Sequence, residues 1–70
     1  MPNKPSSIST KELSGLEDIL GIEQTLASKY QTYAGMCKEP ALSKKFTAVA
    51  SRHQKHFNTL VSYLNGNFTS

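Results

Sequence analysis

Apolar residues recur along this chain at alternating spacings of three and four. From Leu13 the series runs through Leu16, Leu20, Glu23, Ala27, Tyr30, Ala34 and Cys37, with Ile19, Leu26 and Tyr33 flanking it on one side. A 3.5-residue period of this kind belongs to a helix that presents a stripe to a partner, and strand alternation fits nowhere in it. Gly15 and Gly21 each cost about 1 kcal/mol relative to Ala inside a helix, which burial of so long a stripe outweighs. A second series, Leu42, Phe46, Val49, His53, His56, Leu60 and Tyr63, repeats the spacing, with Ala50, Phe57 and Leu64 beside it.

Start and stop signals bound the two series. Ser9-Thr10-Lys11-Glu12 has the form of a capping box, in which the serine covers an open backbone N–H of the first turn and the glutamate reaches back. Glu39-Pro40 breaks the pattern, because the residue before proline is pushed out of the α region and proline suits the first position of a new helix. Asn65-Gly66 is expected to end the second helix, glycine supplying a left-handed C′ position. The reading is all-α: helices over about 10–37 and 40–65, a loose tail over 1–8, a hairpin domain over 9–66 and a short tail over 67–70.

Helices joined by about three residues lie antiparallel, and residues whose numbers sum to roughly 78 are then level. Tyr30 meets Phe46 and Val49, Ala27 faces Val49 and His53, and Glu23 faces His53 and His56. Further along, Leu20 faces His56 and Leu60, and Leu16 faces Leu60 and Tyr63. The expected core is Leu16, Leu20, Ala27, Tyr30, Phe46, Val49, Phe57 and Leu60. Each stripe is wider than one neighbouring helix can cover. A homodimer, stacking two hairpins into a four-helix bundle, is the expected remedy.

Composition sharpens that expectation. A chain of 70 residues makes one small domain that buries only about 60% of its unfolded surface, so it needs a metal, a disulfide or a partner. Its single cysteine, Cys37, rules out an intrachain disulfide, and no Cys spacing suggests a zinc finger. No run approaches the roughly 18 apolar residues of a membrane span, and the start has no signal-peptide centre, so synthesis in the cytoplasm without membrane attachment is expected. A net charge of +3 is mild. Lys44, Lys45, Arg52 and Lys55 make the second helix basic, but no recognition-helix geometry accompanies them, and a solvated face is favoured over a nucleic-acid partner.

The chemistry gathers at Glu23, His53 and His56. The two histidines, spaced i, i+3, leave the same side of their helix and meet a carboxylate inside an apolar seam. Two readings fit. In one, Glu23 is hydrogen-bonded to a histidine as a polar pin that sets register. In the other the three side chains hold a divalent metal, zinc or a similar first-row ion suited to imidazole and carboxylate. With both elements at mid-helix, a two-fold axis through the bundle centre would bring two such sets to one level. No other cofactor is expected. Ser51 and Ser62 have no oriented base, Cys37 has no neighbouring histidine, and no Gly-rich phosphate loop exists, so nucleophilic catalysis has no support.

An ordered set of residues resembles a known family. Leu13-Ser14-Gly15-Leu16-Glu17-Asp18-Ile19-Leu20, Glu23-Gln24, Lys29-Tyr30, Tyr33-Ala34, Glu39-Pro40-Ala41-Leu42, His53-Gln54-Lys55-His56-Phe57 and Tyr63-Leu64-Asn65 are similar to the small spore coat proteins of clostridia and related spore-formers, kin of the coat F group with its ferritin-like helices. The similarity runs from about residue 10 to 65. It implies a bacterial, spore-associated, all-helical protein whose role is structural or unassigned, located in the mature spore coat with other coat proteins as expected partners. Ferritin-like proteins carry Glu on one helix and Glu-x-x-His on the next. Glu23 matches the first, but Ala50 stands three before His53 and His53 stands three before His56. Ferroxidase and oxygenase activity are therefore not implied. The function expected is non-enzymatic and structural, with a metal-binding ferritin-like module as the alternative and a nucleic-acid-binding hairpin third.

Overall fold

The computed structural model describes residues 8–68, with side chains as far as Gly66, and contains two helices: α1, Thr10–Met36, and α2, Pro40–Phe68. The expected tails at 1–8 and 67–70 fall largely outside the described residues. No strand occurs among those described, and α1 packs against α2 along its length.

Each helix begins with a side chain on its open backbone. Ser9 Oγ accepts from the Glu12 N–H at 3.1 Å, and Glu12 Oε1 accepts from the Ser9 N–H at 3.0 Å, completing the capping box of α1. At the start of α2, Glu39 takes the same part. Its carboxylate accepts from the Leu42 N–H at 2.8 Å and its carbonyl from the Ser43 N–H at 2.9 Å. A negative group there also complements the positive end of the helix dipole. Proline at the first helical position wastes no hydrogen bond.

The connection is fastened from both sides. Ser43 Oγ donates to the Ala34 carbonyl at 2.9 Å, and the Cys37 N–H donates to the same oxygen at 3.4 Å. A carbonyl near the end of α1 that has no partner within its helix is thus satisfied by α2 and by the turn. Cys37, the C-cap, is half-buried rather than enclosed, its thiol 3.6 Å from the Glu39 carbonyl. These bonds fix the level of the two helices at the turn.

Packing within one chain is shallow. Among the described residues only Ala27 and Ala50 are buried, at 6% and 7% exposure, and both line one narrow recess. Methyl side chains at that level let the backbones approach. Leu16, Leu20, Tyr30, Phe46, Val49, Phe57 and Leu60 are half-buried around them. Tyr30, Tyr33 and Phe46 form an aromatic block near the turn, with ring centroids 5.6 to 5.9 Å apart. Offset and edge-on arrangements of this kind are favoured by the ring quadrupole.

Two expectations are corrected. On α2 the stripe residues Phe46, Val49, His53 and Leu60 are covered together with Ala50, Phe57 and Leu64 beside them, whereas Leu42, His56 and Tyr63 are exposed. A single facing helix covers only the side of the stripe nearest to it, which leaves those three open. The helix also does not stop at Asn65-Gly66: it continues to Phe68, and no residue described has a positive φ. Glycine permits a left-handed cap without imposing one. Gly66→Ala is therefore expected to raise thermal stability slightly, by up to about 1 kcal/mol, since an added Cβ meets nothing within 4 Å. A fall in the melting temperature would restore the left-handed cap. Ala50→Leu should cost about 1–3 kcal/mol by overpacking, measurable by urea unfolding.

Candidate functional site

Glu23 projects from the middle of α1 toward α2, where His53 and His56 leave successive turns. His53 Nδ1 donates to Glu23 Oε1 at 2.6 Å, and His56 Nδ1 lies 3.4 Å from Oε2. One carboxylate thus addresses both rings. Three residues turn a helix through about 300°, so His56 points about 60° away from His53. That offset decides their surroundings: the His53 side chain is 21% exposed and Glu23 17%, while His56 is 51% exposed.

The walls differ on the two sides along the hairpin. Toward the turn, Tyr30 lies nearly parallel to His53, with 17° between planes and centroids 6.3 Å apart, and links the cluster to the aromatic block. The His56 ring stands edge-on to His53 at 5.9 Å. Toward the open end, Ile19, Glu23, His56, Thr59 and Leu60 line an open groove of about 340 Å³. The 2.6 Å bond to Glu23 orients the His53 ring, with Tyr30 nearly parallel beside it. Nothing holds His56 as tightly.

Electrostatics follow the geometry. The hydrogen bond from His53 holds the Glu23 carboxyl below the ordinary 4.5 of glutamate; partial loss of solvent opposes this, and the charges that His53 and His56 carry when protonated reinforce it. An ionised carboxylate only accepts, so Nδ1 of His53 must carry the proton between them. The donor atoms of Glu23, His53 and His56 lie within 4.8 Å of one another. These are the three residues that the stripes and the hairpin levels place together.

The remaining sequence candidates stay apart from this cluster. Lys44, Lys45, Arg52 and Lys55 are all exposed along α2. Tyr33 and Tyr63 are exposed, and among the tyrosines only Tyr30, an expected core residue, is half-buried. Sequence reasoning missed the Tyr30 stack on His53 and the capping carboxylate of Glu39. An acid directly before a helix-initiating proline was the available signal for the latter. Among the described residues, no helix is long and apolar enough to cross a membrane. Comparison with protein-family models, with curated proteins and with solved structures found no match.

The lowered Glu23 carboxyl sets a pH dependence. Between the lowered folded value and about 4.5 the unfolded chain binds more protons than the folded one, so stability falls as pH falls through that window. The contribution is fully present above about 4.5 and lost below the folded value. Melting curves from about pH 6 to 3 should therefore fall more steeply for the native chain than for Glu23→Gln. At neutral pH Glu23→Gln should melt above Glu23→Ala, because an amide still pairs with an imidazole. Identical acid limbs in native chain and Glu23→Gln would mean that the His53 contact carries no stability.

Proposed function

We propose that the chain is a non-enzymatic, self-associating helical hairpin that pairs with a second copy into a four-helix bundle and serves as a structural component of the bacterial spore coat. The observation that carries self-association is the contrast between the two broad faces of the hairpin. On one face Ile19, Leu26 and Tyr33 of α1, seven residues apart, run beside Leu42, Val49, His56 and Tyr63 of α2, also seven apart. Ile19, Tyr33, Leu42 and Tyr63 are exposed there. On the other face the recess beside Ala27 and Ala50 is edged by Gln31, Thr47, Ser51 and Gln54. One face is oily and the other is wet.

Dimensions agree with a missing layer. The structure extends 54 × 17 × 12 Å, two helices wide and one helix thick, with a radius of gyration of 15.8 Å. A compact chain of this length has a radius near 11 Å. A face of 54 by 17 Å offers roughly 900 Å² to a partner, at least the share each side gives to a standard stable interface. A second copy brings the same oily face, and a two-fold axis matches each to the other. The coat assignment is supported by the ordered residues, from Leu13 to Asn65, that resemble small spore coat proteins.

Sedimentation equilibrium should give a species of twice 7.7 kDa at micromolar concentration, with a melting temperature that rises with protein concentration. Ile19→Lys combined with Tyr33→Lys should yield monomer with a lower melting temperature. Gln31→Lys combined with Ser51→Lys, on the wet face, should leave the dimer intact. A cooperatively folded monomer whose melting temperature ignores concentration would overturn the proposal.

A further inference from the structure

We infer that Glu23, His53 and His56 form a mononuclear site for a divalent first-row metal ion, zinc being the ion whose ligand preferences fit best. The donor set is one carboxylate and two imidazoles, the chemistry that suits zinc and its neighbours and suits neither magnesium nor calcium, which take oxygen. A tetrahedral zinc with bonds of about 2.0–2.1 Å holds its donors roughly 3.4 Å apart. His56 Nδ1 and Glu23 Oε2 already stand at 3.4 Å. The widest separation within the donor set is no more than 4.8 Å. His56, half in solvent, closes that gap by a side-chain rotation. His53 Nδ1 stands 2.6 Å from the other oxygen, Oε1, and this spacing opens as the ion displaces the Nδ1 proton to solvent and the carboxylate turns to bind.

The surroundings favour an ion over a bare ion pair. Two elements supply the ligands, so the ion bridges α1 and α2 at mid-length, where the chain otherwise buries little besides Ala27 and Ala50. The Glu23 hydrogen bond orients the His53 ring beside a nearly parallel Tyr30, a restraint that lowers the entropy cost of coordination. His56 supplies the adaptable ligand. Three protein ligands leave a fourth position open toward the groove lined by Ile19, Thr59 and Leu60. This site is complete within one chain and does not depend on pairing.

Calorimetric titration of zinc chloride into the full chain, purified without a metal-affinity tag and freed of metal, tests the inference. The expected result is one ion per chain, a melting temperature that rises with zinc, and tetrahedral absorption bands when cobalt(II) replaces zinc. His56→Ala, at the exposed ligand, should fold normally by circular dichroism and bind at least about tenfold more weakly, a loss that even an outer-shell partner of a metal causes. His53→Ala combined with His56→Ala should abolish binding, and Cys37→Ser should not change it. No binding by the native chain overturns the inference. So does binding that survives loss of both histidines, or that disappears in Cys37→Ser. Because the stoichiometry is counted per chain, a monomeric protein that binds one zinc would refute the pairing proposed above and leave this site standing.

Discussion

Everything in this molecule depends on a single seam between two helices. A pair of helices has one line of mutual contact, and whatever lies more than about a quarter turn away from it faces water. Ala27 and Ala50 occupy that line and are the residues of the described chain that water barely reaches. The leucines and aromatics around them are covered on one flank only. Stability must therefore draw on individual contacts beside the seam: the caps at Ser9 and Glu39, the Ser43 tie to α1, the aromatic block, and the Glu23 hydrogen bond.

The polar cluster sits at mid-length of the seam, one turn from Ala27 and Ala50. Glu23 and His53 stand in the positions that a leucine pair would fill in a regular bundle, and a largely covered carboxylate there is tolerated because His53 reaches it directly. Such a pair also excludes neighbouring registers. Sliding one helix by a turn would set Glu23 opposite Phe57 or Val49 and strand both polar groups among apolar side chains, a penalty that apolar contacts alone do not impose. The site thus sets alignment whatever else it binds.

Much of this was legible in the residues. The stripes at three-four spacing and the proline-marked turn were enough to bring Glu23 level with His53 and His56, since in an antiparallel pair the turn length fixes which residues face each other. Ser9 and Glu12 announced the start of α1 through chemistry that depends only on neighbouring residues. The exposed line Leu42, His56 and Tyr63 was not legible, because a heptad pattern marks every apolar position alike and only the facing helix decides which half of the stripe it covers. Gly66 misled for a related reason: a residue that allows two backbone conformations does not choose between them. Tyr30 stacking on His53 needs ring orientations, which spacing does not carry.

The bonds about the turn have a consequence for how the chain reaches this structure. Contacts in a hairpin differ in the loop each must close, from nine residues between Ala34 and Ser43 to thirty between Glu23 and His53. Closure entropy grows with loop length, and a contact already made shortens the loop for the next. Folding should then run as a zipper from Glu39 outward, through Tyr30 and Phe46, to the Glu23 pair at mid-length and last to Leu16 and Leu60. The open end, where Gly15 and Gly21 weaken α1, would be the last part to form and the first to fray. The half that closes first thus holds the register, while the half that closes last keeps its apolar flank open to water the longest.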